Sequence, residues 1–308
     1  MIDPLDVSHE IKLALNRNEP VVAIESSVIA HGLPPKVNVE TALQMEDAVR
    51  QAGATPATVG VIGGKLRVGL TRDEIGLLGN GKAAKIAARD IPYAVSRELD
   101  GGTTVSATMR IAAAAGIGVI ATGGIGGVHR GFGESLDVSA DLWELAHTPG
   151  VVVCSGVKAV ADVQATAEWL ETHGVPVYGY RTDEFPAFYS HSSGIPVQRV
   201  DSAQDFAGVL KIAVGALGIR CAVLACVPIP NDSEFDAASA IDQAVREADD
   251  QGVKGKALTP FLLKRVSELT SGESMRANIA LLLNNAKAAG EIACALTQEA
   301  RRRVGFTA

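Results

Sequence analysis

Three apolar runs of strand length end in residues able to do covalent or acid–base chemistry. VVAIE leads into Glu25 and Ser26, with His31 close behind in HGLPP. GIGVIATG leads into Thr122 and the loop ATGGIGGVHRG, and VVVCS leads into SGVK and Lys158. Ligands of open α/β sheets bind beyond the carboxyl ends of the strands, so these three ends converge on one place if the runs pair side by side. A carboxyl group there is a candidate general acid or base, and a desolvated lysine a candidate Schiff-base nucleophile. A solvated loop lysine is the alternative for Lys158.

The glycine loop is neither of the common nucleotide loops. In Gly124-x-Gly126-x-x-His129, histidine stands where a dinucleotide fingerprint needs its third glycine, and no Gly-Lys-Ser/Thr follows for a P-loop. Two readings stay open: a tight strand-to-helix turn, or bare backbone approaching an oxygen-rich ligand near Thr122, His129 and Arg130. Downstream, Asp137, Ser139 and Asp141 alternate ahead of an amphipathic stretch. Leu142 and Thr148 occupy the glycine and glutamate positions of an EF-hand loop and exclude one. A looser site for a hard metal, or Ser139 capping a helix with Asp141 in its first turn, both fit. Lys85 and Arg89 in AAKIAARD form a basic pair suited to a phosphate.

The elements that must hold these residues follow from patterning. Near-continuous apolar runs at 21–25, 57–63, 116–123, 151–155, 175–180 and 222–228 alternate with helical segments, which argues for an α/β fold with a mostly parallel central sheet and helices on both faces. Asn38 is expected to open a helix over 39–52 ahead of Gly53. Thr71 and Glu74 form a capping box, Asp162 opens 163–173 ahead of Gly174, and Ser202 opens a helix ending near Gly218. After Pro230 only helical patterns remain, predicting a helical C-terminal layer. No linker or low-complexity block divides the 308 residues, so one domain over 1–308 is expected.

Composition narrows the partners. A formal charge of −7, with no basic run before Arg301, Arg302 and Arg303, argues against a nucleic-acid polymer. MIDPLDVSHE lacks the features of a secretory signal, and the apolar run from Ile111 to Ala121 is too short to span a bilayer; a cytoplasmic protein with no membrane partner is expected. Cys154, Cys221, Cys226 and Cys294 lie in apolar contexts without CxxC spacing and read as reduced thiols.

AIESSVIAHGLPPKVN (23–38), ATGGIGGVHRG, DVSADL, SGVK, PIP and NI…NNA (278–286) occur in order along nearly the whole chain. Together they resemble the pseudouridine-5′-phosphate glycosidase, or indigoidine synthase A-like, family. The resemblance implies reversible cleavage of the C–C glycosidic bond of pseudouridine 5′-phosphate to uracil and ribose 5-phosphate, through a lysine adduct on ring-opened ribose. It implies Glu25 as proton donor, Lys158 as nucleophile and Asp137 as ligand of one divalent metal per subunit, usually Mn2+. It assigns substrate binding to Lys85, the backbone at Val105, Thr122, His129, Ser139, Ala140, Asp141 and Asn278. A homotrimer is implied too, and a separate pseudouridine kinase to supply the substrate. The chain departs from the family pattern at Val227, where asparagine is usual, and at Asn231, where an acidic residue is common.

On this resemblance the glycines of 123–127 are expected to allow close approach to the substrate and metal region, so that Gly126→Val harms turnover more than folding. Two other readings compete. One is a Schiff-base lyase or aldolase acting on another sugar phosphate through Lys158. The other is a non-catalytic accessory protein of pigment biosynthesis, which would not need Glu25 and Lys158.

Overall fold

Four parallel strands form the centre of the molecule because their sequences are apolar on both faces. In the computed structural model, which describes residues 4–253 and 258–305, the chain begins β1 (Leu5–Val7), α1 (His9–Asn16), β2 (Val21–Ile24), α2 (Val37–Gln51), β3 (Thr55–Ile62) and β4 (Lys65–Val68). It continues α3 (Arg72–Leu78), β5 (Ala84–Ile86), α4 (Ile91–Ser96), β6 (Gly101–Thr103), α5 (Val105–Ala114), β7 (Val119–Ala121) and β8 (Val128–His129). Next come α6 (Phe132–Ser135), α7 (Ala140–His147), β9 (Gly150–Cys154), β10 (Ala161–Asp162), α8 (Val163–Thr172), β11 (Val177–Tyr180), β12 (Gln198–Val200), α9 (Ala203–Leu210) and β13 (Ala222–Cys226). The helices α10 (Ala238–Asp250), α11 (Leu258–Leu269) and α12 (Glu273–Gly305) close the chain, with no strand after β13 among the described residues. Residues 1–3 of the N-terminal stretch read above, and the ends of the 1–308 span, lie outside the described residues.

The main sheet runs β1-β4-β3-β2-β7-β9-β13-β11-β12, with β6 attached to β3 and β5 to β6. The expected parallel core is present from β3 to β12: β2 pairs β3 and β7, β7 pairs β9, β9 pairs β13, and β13 pairs β11, all parallel. Alternate residues face opposite layers, as the two-residue period of a strand requires. Ile24, Ala121, Val153 and Ala225 pack towards α2, α9 and α12, while Ala23, Ile120, Val152 and Leu224 pack towards α5 and α7. Burying a large side chain such as Ile24 or Phe206 contributes on the order of 1.5–3 kcal/mol. The register aligns Ile24 with Ala121 and Ala121 with Val153, so the chain leaves these strands side by side at one edge.

Three departures from expectation have local causes. The antiparallel hairpin β3–β4 was not foreseen; it turns at Gly63 and Gly64, with φ of 54° and 73°, the backbone of a two-residue hairpin. Asn38 does not cap α2, which begins a residue before it. Its buried amide instead donates to the carbonyls of Ile29 (2.7 Å) and Gly79 (3.0 Å), binding the helix to the loop after β2. The third concerns α12, long and apolar enough by length and composition to cross a membrane, yet 56% of that apolar window is buried inside the structure. It packs across the sheet and against α2 and α9, as a core helix does.

The other end signals hold. Thr71 and Glu74 form the capping box, Asp162 accepts from the Ala165 amide at 2.9 Å, and Ser202 accepts from the Asp205 amide at 3.1 Å. Cys154 and Cys226 are buried, Cys221 and Cys294 half-buried, and all four are free thiols.

Candidate active site

The carboxyl ends of β2, β7 and β9 bring Glu25, Thr122 and Lys158 together, as their positions in the sequence predict. Glu25 follows β2 directly, and its amide donates to the Ala121 carbonyl at 3.2 Å, which locks the two strand ends in step. Its carboxylate has a side-chain exposure of only 3% and accepts hydrogen bonds from the hydroxyls of Ser27 and Thr122. Lys158 Nζ lies 3.8 Å from Glu25 Oε1, on a side chain that is 20% exposed. The lysine is placed by its own backbone, whose amide donates to Ile125 O at 2.9 Å, so the loop after β9 is tied to the glycine loop after β7. A buried acid and a half-exposed amine in contact are the groups needed for nucleophilic catalysis assisted by proton transfer.

Two chambers meet at this pair, and Lys85 and Lys158 line both. The inner one, about 40 Å³, is walled by Glu25, Thr122, His31, Phe188, Asn278 and Leu282, and is largely apolar. The outer one, about 140 Å³, is polar: Arg89, Thr104, His129, Asp137, Ser139 and Asp141 lie around it. The inner chamber suits a flat, weakly polar group, and the outer one, with three cations at its edge, suits an anion. Burial pushes the His129 imidazole below its usual pKa; Asp137 opposes this shift, while Lys85 and Lys158 reinforce it.

The candidate residues fall into place unevenly. Lys85, Thr122 and Asn278 line the inner chamber; His129, Asp137, Ser139, Ala140 and Asp141 line the outer. Val105 buries its side chain in the first turn of α5, as a residue called for its backbone can, and its neighbour Thr104 lines the outer chamber. Ser139 does cap α7, accepting from the Asp141 amide at 3.2 Å. Asp141 does more than sit in a first turn: its two oxygens accept from the amides of Ser106 and Gly126, each at 2.9 Å. It therefore staples the start of α5 to the glycine loop. Arg130 points away to Asp242, at 2.7 Å.

The glycines have a purpose the sequence did not disclose. None of Gly123, Gly124, Gly126 and Gly127 has a positive φ. A Cβ on Gly126 would sit 2.2 Å from Ser139 Oγ, one on Gly127 2.3 Å from Thr166 Oγ1, and one on Gly124 2.8 Å from the Phe188 ring. The bare backbone is needed for close packing against the protein's own side chains. The expectation that Gly126→Val harms turnover more than folding is thereby corrected, because a side chain at this position meets Ser139 and Asp141.

Sequence reasoning missed several contributors. Asn285 of α12 is fully buried and donates to the carbonyls of Thr122 (2.8 Å) and Gly123 (3.2 Å) while accepting from Ser155 Oγ at 3.1 Å. Its place in the NNA motif was the available signal. Ser27 and Phe188 carried none: a serine beside another serine, and a phenylalanine in a loop. Phe188 has φ of 63°, a conformation rarely taken by a bulky residue and typical of places where the surrounding structure enforces it.

Comparison with known proteins gives one answer. The model of the family described as indigoidine synthase A like protein matches residues 10–295. A pseudouridine-5′-phosphate glycosidase of Clostridium botulinum is 49% identical over 300 residues, 96% of this chain and 97% of that protein. One from Escherichia coli is 48% identical over 295 residues, 94% of each. The crystal structure of the prealnumycin C-glycosynthase AlnA, in complex with ribulose 5-phosphate, superposes with a TM-score of 0.89 at 42% identity, covering 97% of this chain and 99% of that one. The chain belongs to the indigoidine synthase A-like family of enzymes.

Proposed function

We propose that the enzyme reversibly cleaves the C–C bond of pseudouridine 5′-phosphate, giving uracil and ribose 5-phosphate, by covalent catalysis through Lys158. The observation that carries this reading is the Glu25–Lys158 pair, 3.8 Å apart, at the junction of an apolar and a cationic chamber. A nucleotide whose base and phosphate lie on either side of C1′ would place that carbon beside the lysine. The names of the relatives support the substrate, and the sugar phosphate in the AlnA complex supports the class.

The chemistry follows from the residues. A carbon-linked uracil is a poor leaving group, so simple departure to an oxocarbenium ion, as with O-glycosides, is slow. Proton transfer from Lys158 to Glu25 leaves a neutral amine and a carboxylic acid. The amine bonds to C1′ while Glu25 returns the proton to the ring oxygen and the C1′–O4′ bond breaks. Glu25, now a carboxylate, takes the ammonium proton of the adduct and passes it to uracil C5; the nitrogen lone pair then forms a C1′=N iminium on Lys158 as the C1′–C5 bond breaks and its electron pair restores the C5=C6 double bond. Water adds to C1′ to give a carbinolamine, whose collapse expels the Lys158 amine and releases ribose 5-phosphate. Thr122 and Ser27 hold the Glu25 carboxylate in place throughout.

A divalent ion fits the outer chamber. Among the described residues no three His, Cys, Asp or Glu side chains cluster as a full protein cage. A hard cation bound by one carboxylate, Asp137, with water and a phosphate completing its shell, needs no such cage. His129 Nδ1, buried beside it without a hydrogen-bond partner, marks the place as built for something more than protein. When bound, such an ion, Mn2+ in this reading, would supply positive charge to the phosphate side of the substrate. We further propose a cytoplasmic homotrimer whose phosphorylated substrate comes from a separate kinase.

Mass spectrometry of the intact protein tests the mechanism after incubation with ribose 5-phosphate and Mn2+ and reduction with borohydride. A reduced adduct is expected in the wild type and absent in Lys158→Ala. Uracil release from pseudouridine 5′-phosphate without any adduct would retain the substrate and reject the lysine. An adduct with ribose 5-phosphate but no reaction with uracil would point to a lyase acting on another sugar phosphate.

A further inference from the structure

His31 is a polar group of the inner chamber that the reaction above leaves unused. It sits in a π-helical turn, Val28–Gly32, directly after Glu25 and the serines, an irregularity frequent at functional sites. It lines the same chamber as Glu25, Lys158 and Asn278. Among the described residues, two buried histidine nitrogens have no hydrogen-bond partner, and His31 Nε2 is one of them. The imidazole is oriented by a hydrogen bond to the Ala84 backbone, and burial, reinforced by nearby Lys85, keeps the ring below its usual pKa and therefore neutral. A neutral imidazole that gives its N–H to a carbonyl has a lone pair on the other nitrogen. A buried acceptor without a donor is costly, and a water or a ligand has to bring one.

We propose that His31 Nε2 accepts a hydrogen bond from a ring N–H of the uracil and is a specificity-determining residue for the base. The inference rests on the reaction proposed above. A uracil linked through C5 offers two ring donors, N1–H and N3–H, whereas one linked through nitrogen has N1 blocked. N3–H is present in both, so an acceptor that faces N1–H is what favours a carbon-linked base, and Asn278 in the same wall, able both to donate and to accept, complements it. Phe188 beside them supplies an aromatic surface for the ring.

The synthetic direction isolates the base from the sugar. With ribose 5-phosphate saturating, the KM for uracil is measured in the wild type, His31→Ala and His31→Gln, and the borohydride adduct with ribose 5-phosphate alone is quantified in each. Expected is a rise in the uracil KM of roughly 10- to 100-fold in both variants with the adduct yield unchanged. Uracil KM values equal to the wild type, or an adduct lost in step with turnover, would overturn the assignment. An independent arm needs no variant: 1-methyluracil and 3-methyluracil keep C5 free but each lacks one ring donor. One of the two should be discriminated against by the wild type, and equal use of uracil and both analogues would reject the proposal. A wild type that forms no product from uracil at all would instead reject the underlying reaction.

Discussion

At the scale of single residues, the site separates groups that react from groups that hold them. Glu25→Gln keeps the shape and one accepting oxygen, with its NH2 donating to the other hydroxyl, but has no acid to give. We expect kcat to fall by about 10²- to 10⁴-fold with little change in thermal stability, checked by steady-state kinetics beside a melting curve. Glu25→Ala would also leave the Ser27 and Thr122 hydroxyls buried without their acceptor, lowering stability by about 1–3 kcal/mol. His31 gives a pH test. Its pKa is depressed in the folded chain, so folding favours the neutral ring, and the associated stability is present above about pH 6.5 and lost as the pH falls. Lys85, Lys158 and Glu25 share its chamber, and Lys85 adds to the same shift. Denaturant melts between pH 7 and pH 5 should show a shallower decline for His31→Gln than for the wild type; identical slopes would show that His31 does not contribute to the pH dependence.

At the scale of elements, the glycine loop is held by hydrogen bonds from three directions: Asp141 of α7, Asn285 of α12 and the backbone after β9. Asn285→Leu removes a donor from two buried carbonyls and an acceptor from Ser155. A loss on the order of 2–3 kcal/mol in urea denaturation is expected, with a lower kcat because Thr122 is no longer fixed. Gly126→Ala should behave similarly: its Cβ would overlap Ser139, and overpacking costs about 1–3 kcal/mol. How much of this was legible depended on whether a residue's partner is local. The parallel strands could be read because burial on both faces leaves a continuous apolar run, and the caps at Thr71, Asp162 and Ser202 because their partners lie three residues away. KLRV of β4 and GGT of β6 are short, partly polar or bare, and become strands by pairing, β4 with β3 and β1, β6 with β3 and β5. Asn38 looked like a cap, since the carbonyls it serves, at Ile29 and Gly79, are distant in sequence. Glu25, Thr122 and Lys158 were legible as strand ends; that Phe188 and Asn285 complete the same site was not, as both arrive from other layers.

At the scale of the whole molecule, the sheet gathers chemistry from residues 25, 122 and 158 onto one edge, and α12 closes that edge from the far end of the chain. The proposed trimer belongs to this scale. Ile212, Val214 and Leu217 are 60%, 49% and 70% exposed in and just after the segment following α9, apolar surface that a subunit interface would cover. Light scattering should give three times the 31.9 kDa chain mass, and a monomer at micromolar concentration would contradict it. The two chambers joined at Lys158 also carry a consequence for the order of events. In the proposed reaction the base occupies the inner chamber while the sugar phosphate stays bonded to the lysine and held in the outer one. Breaking the C–C bond frees only the base, so uracil must leave first and ribose 5-phosphate last. Product inhibition would record that sequence: ribose 5-phosphate competing with the nucleotide for the free enzyme, and uracil inhibiting non-competitively by recapturing the sugar-bearing form.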